Sequence, residues 1–392
     1  MEKVVDLSPI VKWAGGKEQE LKYILPNVPN NFTRFIEPFV GGGAVYFSIH
    51  KKDKLINDKS VELTTLYNNV KYNNKNFINS LQSIQDAWIG LESILDSTIA
   101  FFNKIYSAYK LNEITKEVLF KSIEQFINDN KISFEQILNS ELLRHYDIFQ
   151  RELLRNISAK LIRMKDLEDK KGNLPKEDIY DNFECALKSS FYMFIRNLYN
   201  KYDNSEYFYF IREYCYSSMF RYNSNGEFNV PYGGISYNRK NFQRKIDYIK
   251  SKELQSHFVN TDIYNLDFEE FLNKIKLTQN DFIFLDPPYD TDFSSYVNNT
   301  FDKQDQERLA NYLINKCPAK FMLVIKNTDF ISELYKHKGL YINSFDKKYM
   351  VSFKGRNNRD CEHLIITNYP IGEEVSNLAT LKSNKKKQLQ YA

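Results

Sequence analysis

The chain has 392 residues, 42% hydrophobic and 15% aromatic, which excludes wholesale disorder and leaves room for one large domain or two ordinary ones with real cores. Its 54 Lys and Arg against 50 Asp and Glu leave a net charge of +4, a slight lean toward polyanion binding that many cytosolic enzymes share. The four cysteines, Cys185, Cys215, Cys317 and Cys361, form no C-x-x-C pair and no Cys/His cluster, so neither structural zinc nor a disulfide framework is expected and a reducing compartment fits. The first residues lack the basic-then-apolar pattern of a signal peptide, and no uncharged apolar run nears membrane-spanning length, so a cytoplasmic protein is expected. The 28 Tyr and 30 Phe leave many rings available for stacking on bases.

In chain order, Ile10-Val11-Lys12-Trp13-Ala14-Gly15-Gly16-Lys17 is a short apolar start, a tryptophan, a Gly-Gly turn through which backbone can approach a ligand, and a lysine. A helix is expected over residues 18–25, with Lys17 at its head placed to meet a carboxylate. The plainer reading is a strand, a turn and a helix with a surface lysine. The run from Arg34 to Phe47, with Glu37-Pro38-Phe39-Val40-Gly41-Gly42-Gly43 at its centre, reads as strand, glycine-rich loop and helix, the entry to a Rossmann-like unit. It has neither the Gly-Lys-Ser/Thr of a phosphate loop nor the G-x-G-x-x-G of a dinucleotide loop. With Glu37 at the strand end, it suits a nucleoside carrying a charged amino-acid tail. Leu55-Ile56-Asn57-Asp58 follows as a second strand, and its terminal acid falls where such folds grip ribose hydroxyls.

Between residues 85 and 190, Ile84, Trp88, Leu91, Leu95, Ile99 and Phe102 repeat at three and four, as do Phe149, Leu153, Ile157 and Leu161, predicting amphipathic helices. Residues 168–173 read as an exposed loop. This stretch holds 15 basic and 18 acidic residues and is no obvious DNA clamp, whereas residues 191–252 hold 10 basic against 5 acidic. It is read first as a helical elaboration packed on the core and second as a surface for a protein partner.

Phe282-Ile283-Phe284-Leu285-Asp286-Pro287-Pro288-Tyr289 is the densest signal. Four apolar residues predict a strand buried on both faces, and two prolines without backbone donors stop the ladder at once. A carboxylate is thereby held at the carboxyl end of a central strand, with an aromatic ring three residues on. The arrangement suits gripping a planar amine: a carboxylate and a carbonyl accept its two N–H bonds and draw it toward a more nucleophilic, tetrahedral form. The plainer reading is a strand end followed by a Pro-Pro turn. Phe321–Ile325 and Glu362–Thr367 read as further central strands, residues 354–360 as a mobile loop whose lysine and arginines suit a polyanion such as DNA, and residues 382–390 as part of a basic, disordered tail.

Three blocks, Lys12–Lys17, Glu37–Gly43 and Asp286–Tyr289, together resemble the Dam-type (D12 class) DNA adenine-N6 methyltransferases. A fourth block, Arg221-Tyr222-Asn223 with Gly226-Glu227-Phe228-Asn229-Val230-Pro231-Tyr232-Gly233, is similar to the hairpin with which that family reads DNA. The blocks stand in the family's order and cover about residues 8–84 and 190–370, leaving 85–190 outside. The resemblance implies an α/β fold: a Rossmann-like S-adenosylmethionine-dependent methyltransferase sheet with an inserted, mainly helical target-recognition domain carrying a β-hairpin. The expected divisions are 1–80 and 256–372 for the catalytic domain, 81–190 for a helical insertion, 191–255 for target recognition and 373–392 for a flexible basic tail.

What the resemblance implies for function is transfer of a methyl from S-adenosyl-L-methionine to adenine N6 in double-stranded DNA, with base flipping, at GATC or another GAT-containing site. Asp286, Pro287 and Tyr289 are implied as catalytic, and Trp13, Lys17, Glu37, Phe39, Gly41, Gly43, Asp58 and Asp286 as the cofactor site. Asp262 is an adenosine contact or, as readily, a solvated acid. DNA contacts are implied for Lys12, Tyr216, Met219, Arg221, Asn223, Pro231, Arg239 and Lys240, with no metal. Ser217-Ser218 in place of the family's Asn-Gly, and Gly234-Ile235 in place of a basic residue and a tyrosine, leave the outer-base and phosphate contacts open. The expectation is a bacterial or phage monomer working beside the nucleoid, with a cognate restriction endonuclease as a functional companion. RNA or protein-glutamine methylation by the same motif, or a nucleic-acid-binding module with a retired active site, remain as alternatives.

Overall fold

The computed structural model describes residues 7–289, 301–336, 338–348 and 360–371. The expected mobile loop at 354–360, up to residue 359, and the basic tail from residue 373 lie outside the described residues. The chain divides into two compact units, a sheet unit of residues 1–9, 15–64 and 257–392 and a helical unit of residues 10–14 and 65–256.

The sheet unit is built on seven strands: β1 (Arg34–Glu37), β2 (Asp53–Asn57), β3 (Thr261–Tyr264), β4 (Asp281–Leu285), β5 (Lys320–Lys326), β6 (Tyr341–Lys348) and β7 (Asp360–Thr367). They run in the order β3-β2-β1-β4-β5-β7-β6. The first five are parallel, while β7 is antiparallel to both β5 and β6. Progress along the chain goes outward from β1 through β2 to β3, then restarts on the other side of β1 with β4 and β5. The crevice at the carboxyl ends of β1 and β4 is therefore the topological switch point, where open α/β sheets take their ligands.

All five residues of β4 are buried, as the continuous apolar run requires. Ile36, Ile283, Leu285, Phe321 and Leu323 form a core with Phe268, Phe271, Leu309 and Leu313 from the helices Phe268–Lys274 and Lys303–Asn315. Each such side chain contributes roughly 1.5–3 kcal/mol by leaving water. The β1–β4 seam is pinned at its amino end. Arg34 grips the buried Asp281 with Nε at 2.8 Å and Nη2 at 2.7 Å. Burial pushes the Asp281 carboxyl up, but the Arg34 fork and the Thr278 amide outweigh it and hold the group below its usual range.

Two local expectations change. The helix expected over residues 18–25 is a turn followed by Leu21–Ile24, which tightens into a 3-10 turn over Leu25–Asn27, because Pro26 has no N–H to continue the ladder. Residues 168–171 are not loop but the last turn of the helix Tyr146–Lys171, and only the connection from Gly172 onward is irregular. Glu168 is buried there, accepting from Tyr106 at 2.5 Å, the Leu174 amide at 2.7 Å and Lys110 at 3.1 Å.

The helical unit contains the long helices Lys75–Lys110, Lys116–Asp129, Tyr146–Lys171 and Lys176–Tyr202. The predicted stripes face inward: Ile84, Trp88, Leu91, Leu95 and Phe102 are buried, as are Phe149, Leu153, Ile157 and Leu161, with Ile99 half-buried. Much of the aromatic excess is spent here rather than left for bases. Phe101 stacks on Phe126 at 4.3 Å, and Phe149 packs on Phe191 and Phe194.

Candidate functional site

Glu37 ends β1 and Asp286 follows β4 directly, so both carboxyl groups reach the switch point. Lys17, although 269 positions away in sequence, forms an ion pair with Asp286, donates to the Gly15 carbonyl at 2.9 Å, and lies 5.3 Å from the centre of the Tyr289 ring. It is 3% exposed, which excludes the surface-lysine reading. Glu37 is buried, and among the described residues its Oε2 has no hydrogen-bond partner. Burial pushes its carboxyl well above the usual range and the Asp286 charge adds to this, against the Tyr46 amide and Lys17. Burial, and then Asp286, likewise raises the Tyr289 phenol. The Tyr289 ring meets His363 of β7 edge-on at 5.4 Å, and Gln306, fully buried, donates to the Pro288 carbonyl at 2.9 Å and holds the Pro-Pro turn.

The glycine loop closes on the second strand. Gly41 and Gly43 have φ of +48° and +76°, a region where a side chain would be strained. The Gly41 amide donates to Asp58 Oδ2 at 2.9 Å, and the Ser60 amide to Asp58 Oδ1 at 2.9 Å. Asp58, expected only as a ribose ligand, is thus also the clamp of the loop, with a carboxyl raised by burial and lowered by these amides. Asn57, not singled out from the sequence, is 1% exposed and does comparable work. Its Nδ2 donates to the Pro38 and Leu266 carbonyls at 3.0 Å each, and its Oδ1 accepts from the Leu266 amide at 2.9 Å. Phe39 packs in a cluster with Phe268 and Phe301.

One expected member within the sheet unit stands apart. Asp262 is the exposed second residue of the edge strand β3, in register with Leu55, and so falls short of the carboxyl edge. Trp13 belongs to the helical unit, where its ring packs on Phe220 at 4.7 Å and Phe208 at 6.4 Å. A buried carboxyl oxygen without a partner among the described residues, beside an ammonium–carboxylate pair and next to a loop of left-handed glycines, fits a nucleoside whose tail carries one positive and one negative charge.

The helical unit gathers the expected DNA-contacting residues. An antiparallel bridge joins Tyr222 to Phe228 and a second joins Cys215 to Tyr232, with the turn closed by Gly226 donating to the Asn223 carbonyl at 3.0 Å. Lys12, Tyr216, Pro231 and Arg239 are exposed, while Met219, Arg221 and Asn223 are half-buried. Arg221 stands on the arm of the hairpin rather than its tip. Its Nε donates to Asn229 Oδ1 at 2.7 Å and its Nη2 to the Asn229 carbonyl at 3.1 Å, which leaves Nη1 outside these bonds. Lys240, implied above as a DNA contact, is engaged within the fold. It donates to the Glu213 carbonyl at 2.6 Å and sits 3.8 Å from the Tyr237 ring centre, so desolvation and these partners make it a structural tie. Ser217 and Ser218 both have φ of +51°, a conformation costing roughly 1–2 kcal/mol per non-glycine residue and better suited to the Asn-Gly they replace.

The family profile of the D12 class N6 adenine-specific DNA methyltransferases matches residues 13–88 and 149–352. The match resumes at 149, so the segment outside the family is residues 89–148 and not 85–190 as the sequence blocks suggested. The type II methyltransferase M.CviBI of Paramecium bursaria Chlorella virus NC1A is 29% identical over 373 residues, covering 93% of this chain and all of that protein. The type II methyltransferase M.MjaIII of Methanocaldococcus jannaschii is 27% identical over 383 residues, with the same coverage. The DNA N-6-adenine-methyltransferase of Escherichia phage P1 is 24% identical over 88% of this chain and 33% of its own length. With most of its length matched, the chain belongs to the D12 class of N6 adenine-specific DNA methyltransferases.

Proposed function

We propose that this DNA adenine methyltransferase uses S-adenosyl-L-methionine, acts on adenines flipped out of duplex DNA, and reads GATC or another GAT-containing site. The observation that carries the reading is the meeting of Glu37, Lys17 and Asp286 at the switch point between β1 and β4. The cofactor supplies a methyl on a sulfonium, already a good electrophile. Lys17 and Glu37 take the charged ends of its amino-acid tail, and the Gly41–Gly43 loop lies against it. The Asp58 lone pairs not engaged by the Gly41 and Ser60 amides take the ribose.

Asp286 and the Pro287 carbonyl accept the two N6 hydrogens, and Tyr289 stacks on the base. Orientation alone supplies on the order of 7–11 kcal/mol in such sites. An adenine stacked in a duplex cannot present N6 to a carboxylate at a strand end, which is why flipping is part of the proposal. In the helical unit, Arg221 reads a guanine edge, Lys12 a second guanine, Met219 and Pro231 a thymine methyl, and Tyr216 wedges into the stack, with Asn223 shaping the hairpin and Arg239 on phosphate. The protein acts as a monomer on cytoplasmic DNA, with a restriction endonuclease as companion. Family membership sets aside the readings as an RNA or protein-glutamine methyltransferase and as a module with a retired site.

Single-molecule sequencing of DNA from cells expressing the protein tests this, because it reports base, strand and motif together. N6-methyladenine within a GAT-containing motif is expected. Methylation confined to motifs lacking GAT would refute the site assignment, and methylation of single strands only would refute flipping.

A further inference from the structure

Arg212 is 1% exposed, on the helix Ser205–Tyr214. Among the described residues it has no salt bridge to any carboxylate. Its guanidinium is held by backbone carbonyls instead: Nη1 donates to Met219 at 2.5 Å, while Nη2 donates to Ser218 at 3.0 Å and to Lys12 at 2.8 Å. Its guanidinium carbon lies 4.5 Å from the centre of the Phe220 ring, which also packs on Trp13, Tyr222 and Phe228. A buried cation without a counter-ion is costly, and a protein tolerates it only where its geometry is useful. Here one planar fork ties two chain segments, the nearer to the amino end 200 positions from Arg212 itself, and both carry residues assigned above to DNA: Lys12 on one, Tyr216 and Met219 on the other. The second segment contains the left-handed Ser217–Ser218 pair, which has no glycine to relax it and receives a further bond from the Ser217 amide to the Tyr237 hydroxyl at 3.1 Å.

We propose that Arg212 is a positioning residue that fixes the Lys12 segment and the Tyr216–Met219 turn in one preformed DNA-reading surface. The proposal rests on the DNA-contact assignment under Proposed function. A planar fork can hold both segments together, whereas an ammonium on a flexible stem cannot serve three carbonyls on two segments with the same rigidity. Arg212 itself touches no base in this account and acts through the residues it places.

The test uses full-length Arg212→Lys and Arg212→Met with the duplex that sequencing identifies as methylated. Hydrogen exchange by mass spectrometry reads the two segments directly, and steady-state kinetics read their use. In Arg212→Lys, amides of residues 8–16 and 214–222 are expected to exchange faster together, with the helices Tyr146–Lys171 and Lys176–Tyr202 unchanged. KM for duplex DNA should rise by about tenfold or more with kcat altered far less, discrimination against single-base-pair variants of the site should fall, and S-adenosylmethionine affinity by calorimetry should hold. Arg212→Met should exceed Arg212→Lys in every DNA readout. Unchanged exchange in the two segments overturns the positioning role. So does faster exchange spread across the whole helical unit, or failure of both variants to fold, since Arg212 would then be a support of the core. Loosened segments with unaltered KM and discrimination would instead overturn the DNA-contact assignment.

Discussion

Removing the Asp286 carboxylate does two separate things, and the structure allows them to be separated. Lys17 is 3% exposed and Asp286 18%, so the ion pair between them is largely out of water. In Asp286→Ala the ammonium keeps, among the described residues, the Gly15 carbonyl, the face of Tyr289 and the nearby Glu37 carboxyl, which burial holds toward its neutral form. Breaking a buried pair from one side costs about 3–5 kcal/mol, and the partial exposure of Asp286 favours the lower end. For a unit of this size about 3 kcal/mol lowers a thermal midpoint by roughly 6–12 °C. Asp286→Ala is therefore expected to be both inactive and less stable, and inactivity alone would say nothing about chemistry. Lys17→Met combined with Asp286→Ala removes both charges and should recover stability to within about 1 kcal/mol of wild type while remaining inactive. Asp286→Asn keeps an acceptor without the charge and should lose at least about a hundredfold in single-turnover rate, the scale of one lost transition-state contact. The assays are calorimetric unfolding and single-turnover methylation of duplex DNA. A wild-type midpoint for Asp286→Ala would refute the ion-pair argument, and turnover within about tenfold of wild type in the double variant would refute the amine-gripping role.

Asn57→Ala leaves the Pro38 and Leu266 carbonyls and the Leu266 amide without their partner; at about 1–3 kcal/mol per unsatisfied group, partly relieved by water, a loss of roughly 3 kcal/mol in denaturant unfolding is expected, with weaker cofactor binding by calorimetry. Asp58→Ala releases the Gly41 amide as well as any ribose bond, so S-adenosylmethionine affinity should fall while DNA binding by gel shift holds; unchanged affinity would remove Asp58 from the cofactor site. Glu37 has a carboxyl raised by burial, so the folded protein holds its proton above the pH at which the unfolded chain releases it; stability from this group is present at low pH and is lost as pH rises through the raised value. Glu37→Gln should therefore flatten the fall in midpoint between acid and neutral pH and weaken cofactor binding, and an unaltered pH slope would contradict the burial argument. Arg221→Ala should lose about 1–3 kcal/mol of discrimination at one guanine, whereas Arg239→Ala, with a side chain 85% exposed, should weaken all duplexes alike and flatten the salt dependence; equal loss on every substrate for Arg221→Ala would make it a structural brace of the hairpin.

The strands and the switch-point acids were legible because a buried parallel strand and a Pro-Pro stop leave a local signature. Phe282 to Pro288 declares both within seven residues. The loop clamp was half-legible: Asp58 stands at a strand end in plain view, but nothing marks Asn57 beside it, since an asparagine in a strand looks the same whether its amide meets solvent or two distant carbonyls. Gln306 and Arg212 were illegible for the same reason, their partners being backbone atoms that any residue would supply. The error at residues 168–171 has a related cause. A run of charges looks solvated, and only the approach of Tyr106 and Lys110 makes Glu168 a buried acceptor. Lys240 misled in the opposite sense, as a basic residue in a basic segment that is consumed within the fold.

Buried charges separate structural from functional positions more clearly than motifs do. Asp281 is neutralised by Arg34, Glu168 by Lys110, and Lys188 by Glu92 at 2.6 Å and Glu184 at 2.5 Å; each is closed, and each serves packing. Glu37 and Arg212 are different. Both are buried, neither is in a salt bridge among the described residues, and each sits where a candidate ligand surface is built. An uncompensated buried ionisable group lowers the stability of the ligand-free protein, whether as a desolvated cation like Arg212 or as an acid like Glu37 that burial pushes toward its neutral form, so it persists where preorganised geometry returns more on binding than it costs in folding. On that argument the acid at the end of β1 and the arginine behind the hairpin mark the two surfaces proposed above, one for the methyl donor and one for reading DNA.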